Sequence, residues 1–198
     1  MIQSLKDYLY YLDADRLALG IRHRRPGRVD DEIWRFQIAL RRYEYAVNCR
    51  RSPWFRLYRM WARARFHAWS VRLGFSIPPN VFGPGLSIAH RGTIVVHNKA
   101  RVGKNCRIHV CVVIGTAAGT TDRVATLGDN IYIGPGAKIF GPITLADNIA
   151  IGANSVVNKS FVEPAVTIAG APAKVISHRG SEGLVIKGAD LVPSPAHS

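Results

Sequence analysis

The sequence predicts a mainly β chain, a coil of short parallel strands preceded by an α-helical region, and three observations predict it. An aliphatic residue recurs every six positions: Val102, Ile108, Ile114, then Leu127, Ile133, Ile139, Leu145, Ile151 and Val157. Glycine follows several of these markers, at Gly103, Gly115, Gly128, Gly134 and Gly152. Before residue 75 the apolar spacing changes to the steps of three and four that belong to helices. A period of six fits neither a helix nor a hairpin strand, which alternates at two. It fits strands that turn after a few residues and stack on the coil before. A run of ordinary short strands would not hold nine markers in one frame with a single break.

Three units follow: a helical region over 1–74, the coil over 75–177 and a tail over 178–198. Ser4 with Asp7 forms a helix N-cap pair, and Leu5, Tyr8, Leu9 and Leu12 share one helical face. Residues 21–31 read as a basic connector. A second helix starts after Asp30 or Asp31, with Ile33, Phe36, Leu40, Tyr43 and Val47 as its apolar stripe. Pro53 suits the first turn of a third helix. There Trp54, Leu57, Trp61, Ala68 and Trp69 oppose Arg56, Arg59 and Arg63. Packing of that aromatic face on the protein is the ordinary reading. A basic aromatic helix lying on a membrane surface is the alternative. Pro78, Pro79, Gly83, Pro84 and Gly85 mark the passage to the coil. The stretch after Ser177, with its Pro, Gly and Ser, reads as a mobile tail.

Apolar content is 47% and net charge +14, so a core and an anionic partner both fit. Residues 1–74 hold 16 Lys/Arg against 7 Asp/Glu, and the coil and tail 11 against 6. Three cysteines without metal spacing read as thiols of a reducing compartment. With no signal-peptide core and no membrane-length apolar run, the expected location is the cytoplasm. No nucleic-acid-binding module is recognisable.

Between Ile114 and Leu127 the repeat is broken by seven extra residues, a loop carrying Asp122 and Arg123. Loops on rigid scaffolds carry function, although an exposed acid–base pair is usually just solvated. Counting back in sixes from Val102 gives Val96, then His90, an imidazole where an aliphatic belongs. A buried, satisfied histidine is the plain alternative. His109 lies nineteen residues later, one coil up and one position over, with coils about 4.8 Å apart. Both imidazoles therefore fall on one edge. Small residues at Gly134, Gly136, Ala137, Gly152 and Ala153 leave room for a long thin ligand. Lys159 and Lys174 would meet its phosphates, or are ordinary surface charges.

From about residue 77 to 176 the chain resembles the hexapeptide-repeat acyltransferases, in their serine acetyltransferase-like branch. The branch's Asp-His-Ala-Thr-Gly-Ile-Val-Val segment is matched by Ala89-His90-Arg91-Gly92-Thr93-Ile94-Val95-Val96. Its Gly-Ala-Gly-Ala-Lys-Ile run is matched by Gly134-Pro135-Gly136-Ala137-Lys138-Ile139, and its closing motif by Ala169-Gly170-Ala171-Pro172-Ala173-Lys174. The resemblance implies a left-handed parallel β-helix (hexapeptide repeat) with an N-terminal α-helical region. It implies acetyl-CoA as co-substrate without a metal, and a homotrimer or dimer of trimers with sites between subunits. His90 becomes the catalytic base. His109, Asp122 and Arg123 would hold the acceptor, and a backbone N–H near Gly115-Thr116 would stabilise the oxyanion. Gly115, Thr116, Gly134, Ala137, Ala153, Lys159 and Lys174 form the expected cofactor set.

The departures concern the amino-acid site. Ala89 stands where the branch has Asp, Val124 where it has a second active-site His, and Ser76 near its orienting acid. Another group must then fix the His90 tautomer, a backbone carbonyl being one candidate. With the basic helices and Arg107-Ile108-His109, the pattern looks closer to the acetyltransferases of capsule and exopolysaccharide assembly. The expected function is acetyl transfer to a sugar hydroxyl. The alternatives are a serine O-acetyltransferase of cysteine biosynthesis, and a non-catalytic scaffold or membrane-surface protein.

Overall fold

A computed structural model of the chain describes residues 1–27 and 29–195. Three helices come first: α1 (Leu5–Ala18), α2 (Glu32–Cys49) and α3 (Arg56–Leu73), the last entered through a 3-10 turn, Pro53–Phe55. Ser4 caps α1, its Oγ accepting the Asp7 N–H at 3.0 Å. The face α1 buries is not its leucine face. Asp7, Tyr11, Ala14, Asp15 and Ala18 are buried, whereas Leu5 and Leu9 stay 53% exposed.

The cause is a charge cluster inside the helical region. Arg41 of α2 is fully buried and donates to Asp15 of α1 at 2.8 Å and to Glu44 at 2.9 Å. It also donates to the carbonyls of Phe82 (2.9 Å) and Gly83 (2.7 Å), where the coil begins. Asp15 in turn accepts the N–H groups of Gly85 and Leu86, and Glu44 that of Asn80. Every charge is thus paired and hydrogen-bonded, the condition under which a buried ion cluster holds. It joins two helices to the first coil.

α2 sends Phe36 and Leu40 into the main core. α3 packs on α2 through Ala62, Phe66, Trp69 and Leu73, with Phe66 stacked on Tyr43 at 5.4 Å. The stripe expected from the sequence is therefore corrected. Of its members Trp69 joins the core and Trp61 lies half-exposed under the Arg42 guanidinium of α2, whereas Trp54, Leu57 and Ala68 face solvent. The aromatic ring of Phe66 is the anchor that the sequence reading left out.

The rest is a left-handed parallel β-helix. In chain order its strands are β1 (Phe75–Ser76), β2 (Ser87–Ile88), β3 (Ile94–Val96), β4 (Arg101–Val102), β5 (Arg107–Ile108), β6 (Val113–Gly115) and β7 (Thr126–Leu127). They continue as β8 (Tyr132–Ile133), β9 (Lys138–Phe140), β10 (Thr144–Leu145), β11 (Ala150–Ile151), β12 (Val156–Val157), β13 (Thr167–Gly170) and β14 (Ala173–Ser177). Among the described residues they form three faces, β1-β3-β6-β9-β12, β4-β7-β10 and β2-β5-β8-β11-β13-β14. Each face carries a continuous inward aliphatic column, with a second row of buried small or apolar residues two positions before it. Ile88, Ile108, Ile133, Ile151 and Ile168 stack in register. So do Val96, Ile114, Ile139 and Val157, and Val102, Leu127 and Leu145. Burying one such side chain is worth roughly 1.5–3 kcal/mol, and each column repeats that gain once per coil.

The register moves His90. Ile88, not His90, holds the aliphatic position opposite Ile108. The first coil has two extra residues, because Ile88 and Ile108 are 20 apart where Ile133 and Ile151 are 18. His90 falls in the widened corner and is exposed.

Corners are set by left-handed backbone. Asn105, Asn130 and Asn148 have φ of 56°, 57° and 60°. Their side-chain amides form a ladder along one corner, at 2.9 and 3.0 Å. Asparagine tolerates this conformation and offers a local hydrogen bond. The inserted loop leaves the coil as a narrow hairpin, closed by a Thr116–Val124 bridge and an Ala117 N–H to Arg123 carbonyl bond of 3.1 Å.

β13 and β14 pair antiparallel and finish the third face. The chain then runs back along the coil. Ala189 donates its N–H to Asn105 Oδ1 at 2.8 Å and accepts from the Tyr10 hydroxyl at 3.1 Å. Lys104 pairs with Asp190 at 2.7 Å. The expectation of a mobile tail is thus corrected over 180–190, where Gly180, Ser181, Gly188, Ala189 and Asp190 dock on the coil and α1. Residues 196–198 of that tail lie outside the described ones.

Candidate active site

The corner between the third and first faces brings His90 and His109 together. β2 ends at Ile88 and β5 at Ile108, so each histidine follows its strand into the turn. The ring centroids are 5.7 Å apart at an interplanar angle of 55°. Tyr132, outward on β8 beside Arg107, lies 5.1 Å from the His109 ring. His109 Nε2 is buried and has no hydrogen-bond partner among the described residues. Burial, then the positive charge of Arg107 and the neighbouring His90, hold the His109 pKa below the usual imidazole value. His109 is therefore kept neutral, a polar ring with an unused nitrogen beside an exposed imidazole.

The described residues give His90 no hydrogen bond, so neither a backbone carbonyl nor another group within them orients its ring. Ser76 pairs with Val95 along the first face instead. The same corner shows a backbone irregularity. Its left-handed position is Gly92, Cys111, Gly136 and Asn154 in successive coils, with φ of 132°, 62°, 76° and 55°. Cys111 is exposed there, and Lys138 donates to its carbonyl.

The remaining expected residues are dispersed. Gly134 and Ala153 share the histidine corner. A Cβ on Gly134 would lie 2.7 Å from the Ile151 carbonyl oxygen, so coil stacking already requires this glycine. Ala137 is fully buried in the core, and its expected contact with a cofactor is corrected: the side chain points inward between Ile133 and Ile139. Gly115, Thr116, Asp122, Arg123 and Lys159 belong to the next corner, across the first face. Asp122 and Arg123 are exposed and enter no ion pair among the described residues. Lys159 sits over the Phe161 ring at 5.4 Å. Lys174 is exposed on β14. Within one chain, then, no contact joins the acceptor loop to the histidine pair.

Sequence reasoning missed Tyr132. The signal was available, since it is the outward residue one coil beyond Arg107. A cavity of about 450 Å³ lies elsewhere, between the three helices, and holds none of the expected site residues. No group of three or more His, Cys, Asp or Glu among the described residues is placed to hold a metal ion.

No family model matches the chain. It is 36% identical over 125 residues to the serine acetyltransferase of Mycobacterium tuberculosis, covering 62% of this chain and 54% of that one. It is 35% identical over 116 residues to the serine acetyltransferase of Synechococcus elongatus, covering 58% and 47%. The chain thus spans about half the length of the curated relatives it matches. Among solved structures it is similar to the serine acetyltransferase of Brucella abortus, with a TM-score of 0.67, 28% identity and coverage of 88% and 70%. A serine acetyltransferase in complex with CoA gives 0.66, 27%, 88% and 72%. These relatives support a hexapeptide-repeat acyltransferase of the serine acetyltransferase branch. They overturn the expectation of a sugar acceptor. The relatives named are serine acetyltransferases, and neither the polysaccharide subtype nor a glycan acceptor finds support among them.

Proposed function

We propose that this chain transfers acetyl from acetyl-CoA to the hydroxyl of serine, with His90 as general base. The observation that carries the reading is the similarity to serine acetyltransferases over the coil, with an exposed imidazole in the branch's histidine motif. The neutral ring of His90 removes the hydroxyl proton as the serine oxygen attacks the thioester carbonyl. The tetrahedral intermediate collapses with loss of the CoA sulfur, which takes the proton and leaves as free thiol. Such general-base help is worth about 10²–10⁴ in rate.

Arg123 suits the serine carboxylate, which a guanidinium grips at two oxygens. Asp122 suits the amino group, supplying the carboxylate that Ala89 lacks. Both reach the histidine corner of a neighbouring chain in a trimer, with the Gly115-Thr116 backbone serving the oxyanion. One feature favours this division: among the described residues nothing joins the loop to His90 and His109, and the histidine at the loop's own corner, His97, has its Nδ1 occupied by the Lys99 N–H at 3.2 Å. Gly134, Ala153, Lys159 and Lys174 contact CoA. The test is release of free CoA thiol with L-serine. Serine-dependent release, lost in His90→Ala, is expected. Undiminished release in His90→Ala would remove the mechanism.

A further inference from the structure

We infer that α3 is an interfacial helix, a docking surface for an anionic lipid bilayer. Helix α3 carries two apolar stripes. The packed one runs through Tyr58, Ala62, Phe66, Trp69 and Leu73, against α2 and the coil. The other begins at Trp54 in the 3-10 turn that enters α3 and runs through Leu57, Trp61, Ala64, Ala68 and Val71, at steps of three and four, roughly 140° around the helix from the first. Most of this second stripe is free of the chain, with Trp54 93%, Leu57 78% and Val71 69% exposed, while Trp61 stays half-exposed with the Arg42 guanidinium 5.2 Å from its ring. Isolated exposed apolar residues are ordinary, whereas a helix-long stripe is not.

What flanks the stripe identifies its occupant. Arg56, Arg63 and His67 line one side, and Arg65 and Arg72 the other. Arg65 and Arg42 continue that second edge into the cavity between the helices. α3 contains no Asp or Glu, and none occurs in the sequence between Glu44 and Asp122. An apolar stripe with two tryptophans, bordered by arginines on both sides, matches the interface between acyl chains and anionic headgroups. The rings sit at headgroup depth, and the guanidinium groups reach phosphate at the rim. A second copy of this chain fits less well. Antiparallel pairing of two α3 stripes would set arginine rows beside each other with no carboxylate between them. No helix among the described residues is long and apolar enough to cross a membrane, so α3 would lie in the surface plane.

The experiment is co-sedimentation of the full chain with vesicles of phosphatidylcholine alone, or of phosphatidylcholine and phosphatidylglycerol in equal parts, at low and high salt. Binding to the anionic vesicles, weakened by salt, is expected. The double variant Trp54→Glu, Leu57→Glu should partition about tenfold less or weaker still, because two buried apolar contacts become charges. Both positions face solvent, so thermal unfolding should be unchanged; Leu57→Ser is the milder variant if it is not. Absence of wild-type binding to anionic vesicles would overturn the inference. So would undiminished binding by the variants. A lower oligomeric state of the double variant in sedimentation velocity without vesicles would do the same, and would give the stripe to a second copy.

Discussion

At the scale of the residue, His109 is held neutral by burial, by Arg107 and by His90. Its proton affinity is lowered in the folded chain. The stability it contributes is therefore present above the ordinary imidazole range and is lost as pH falls through the depressed folded value. Imidazole titration by NMR should show His109 titrating below a free histidine, and His90→Ala should move it upward by removing the electrostatic influence of the His90 ring. An unmoved His109 would mean that the rings do not share the corner. Arg123 makes a different prediction. If it grips the serine carboxylate, Arg123→Ala should raise the KM for serine by about 10–100-fold, the value of one charge-assisted contact. Cys111 occupies a left-handed position that other coils give to glycine or asparagine. Cys111→Asn should stabilise the fold by about 0.5–1 kcal/mol in urea titration, since the asparagine side chain tolerates this backbone and cysteine does not. The histidine pair was legible because coil length fixes which residues become neighbours. The exact seat of His90 was not, because two extra corner residues leave no mark in the hexad count until Ile88 is seen opposite Ile108.

At the scale of the element, the hexads announced the coil from their period alone, because each strand is short and its burial is one-sided. The helices were harder. α1 shows the reason: its leucines stay half-exposed while Asp15 is buried. Apolar periodicity cannot point to a face whose partner is a charge cluster. The Arg41 cluster also makes the firmest stability prediction. Arg41→Ala would leave Asp15 and Glu44 buried without their cation. It should cost about 3–5 kcal/mol and lower the urea midpoint, whereas Arg24→Ala, at an exposed pair with Asp13, should cost under about 1 kcal/mol. Equal effects would show that the cluster is not the joint between helices and coil. α3 posed the opposite difficulty. It carries two apolar stripes, and the sequence cannot say which of them packs. Phe66 stacked on Tyr43 decides it.

At the scale of the whole molecule, a rigid coil presents histidines at one corner and an acid–base loop at the next, while the helical region packs over its first turn. The two corners do not meet in one chain. The division of roles proposed above therefore requires a residue set drawn from two chains. The sequence carried the coil and the acyl-transfer motif, but it misled on the acceptor. Ala89 and Val124 stand where the resembled branch has Asp and His, and reading those two departures as a change of substrate led to a sugar acceptor that the relatives do not support. The measurement that tests this most directly is release of free CoA thiol from acetyl-CoA with L-serine, for wild type and for His90→Ala. Serine-dependent release that falls by about 10²–10⁴ in the variant is the predicted result. Release that does not depend on serine, or that survives intact in His90→Ala, would contradict it.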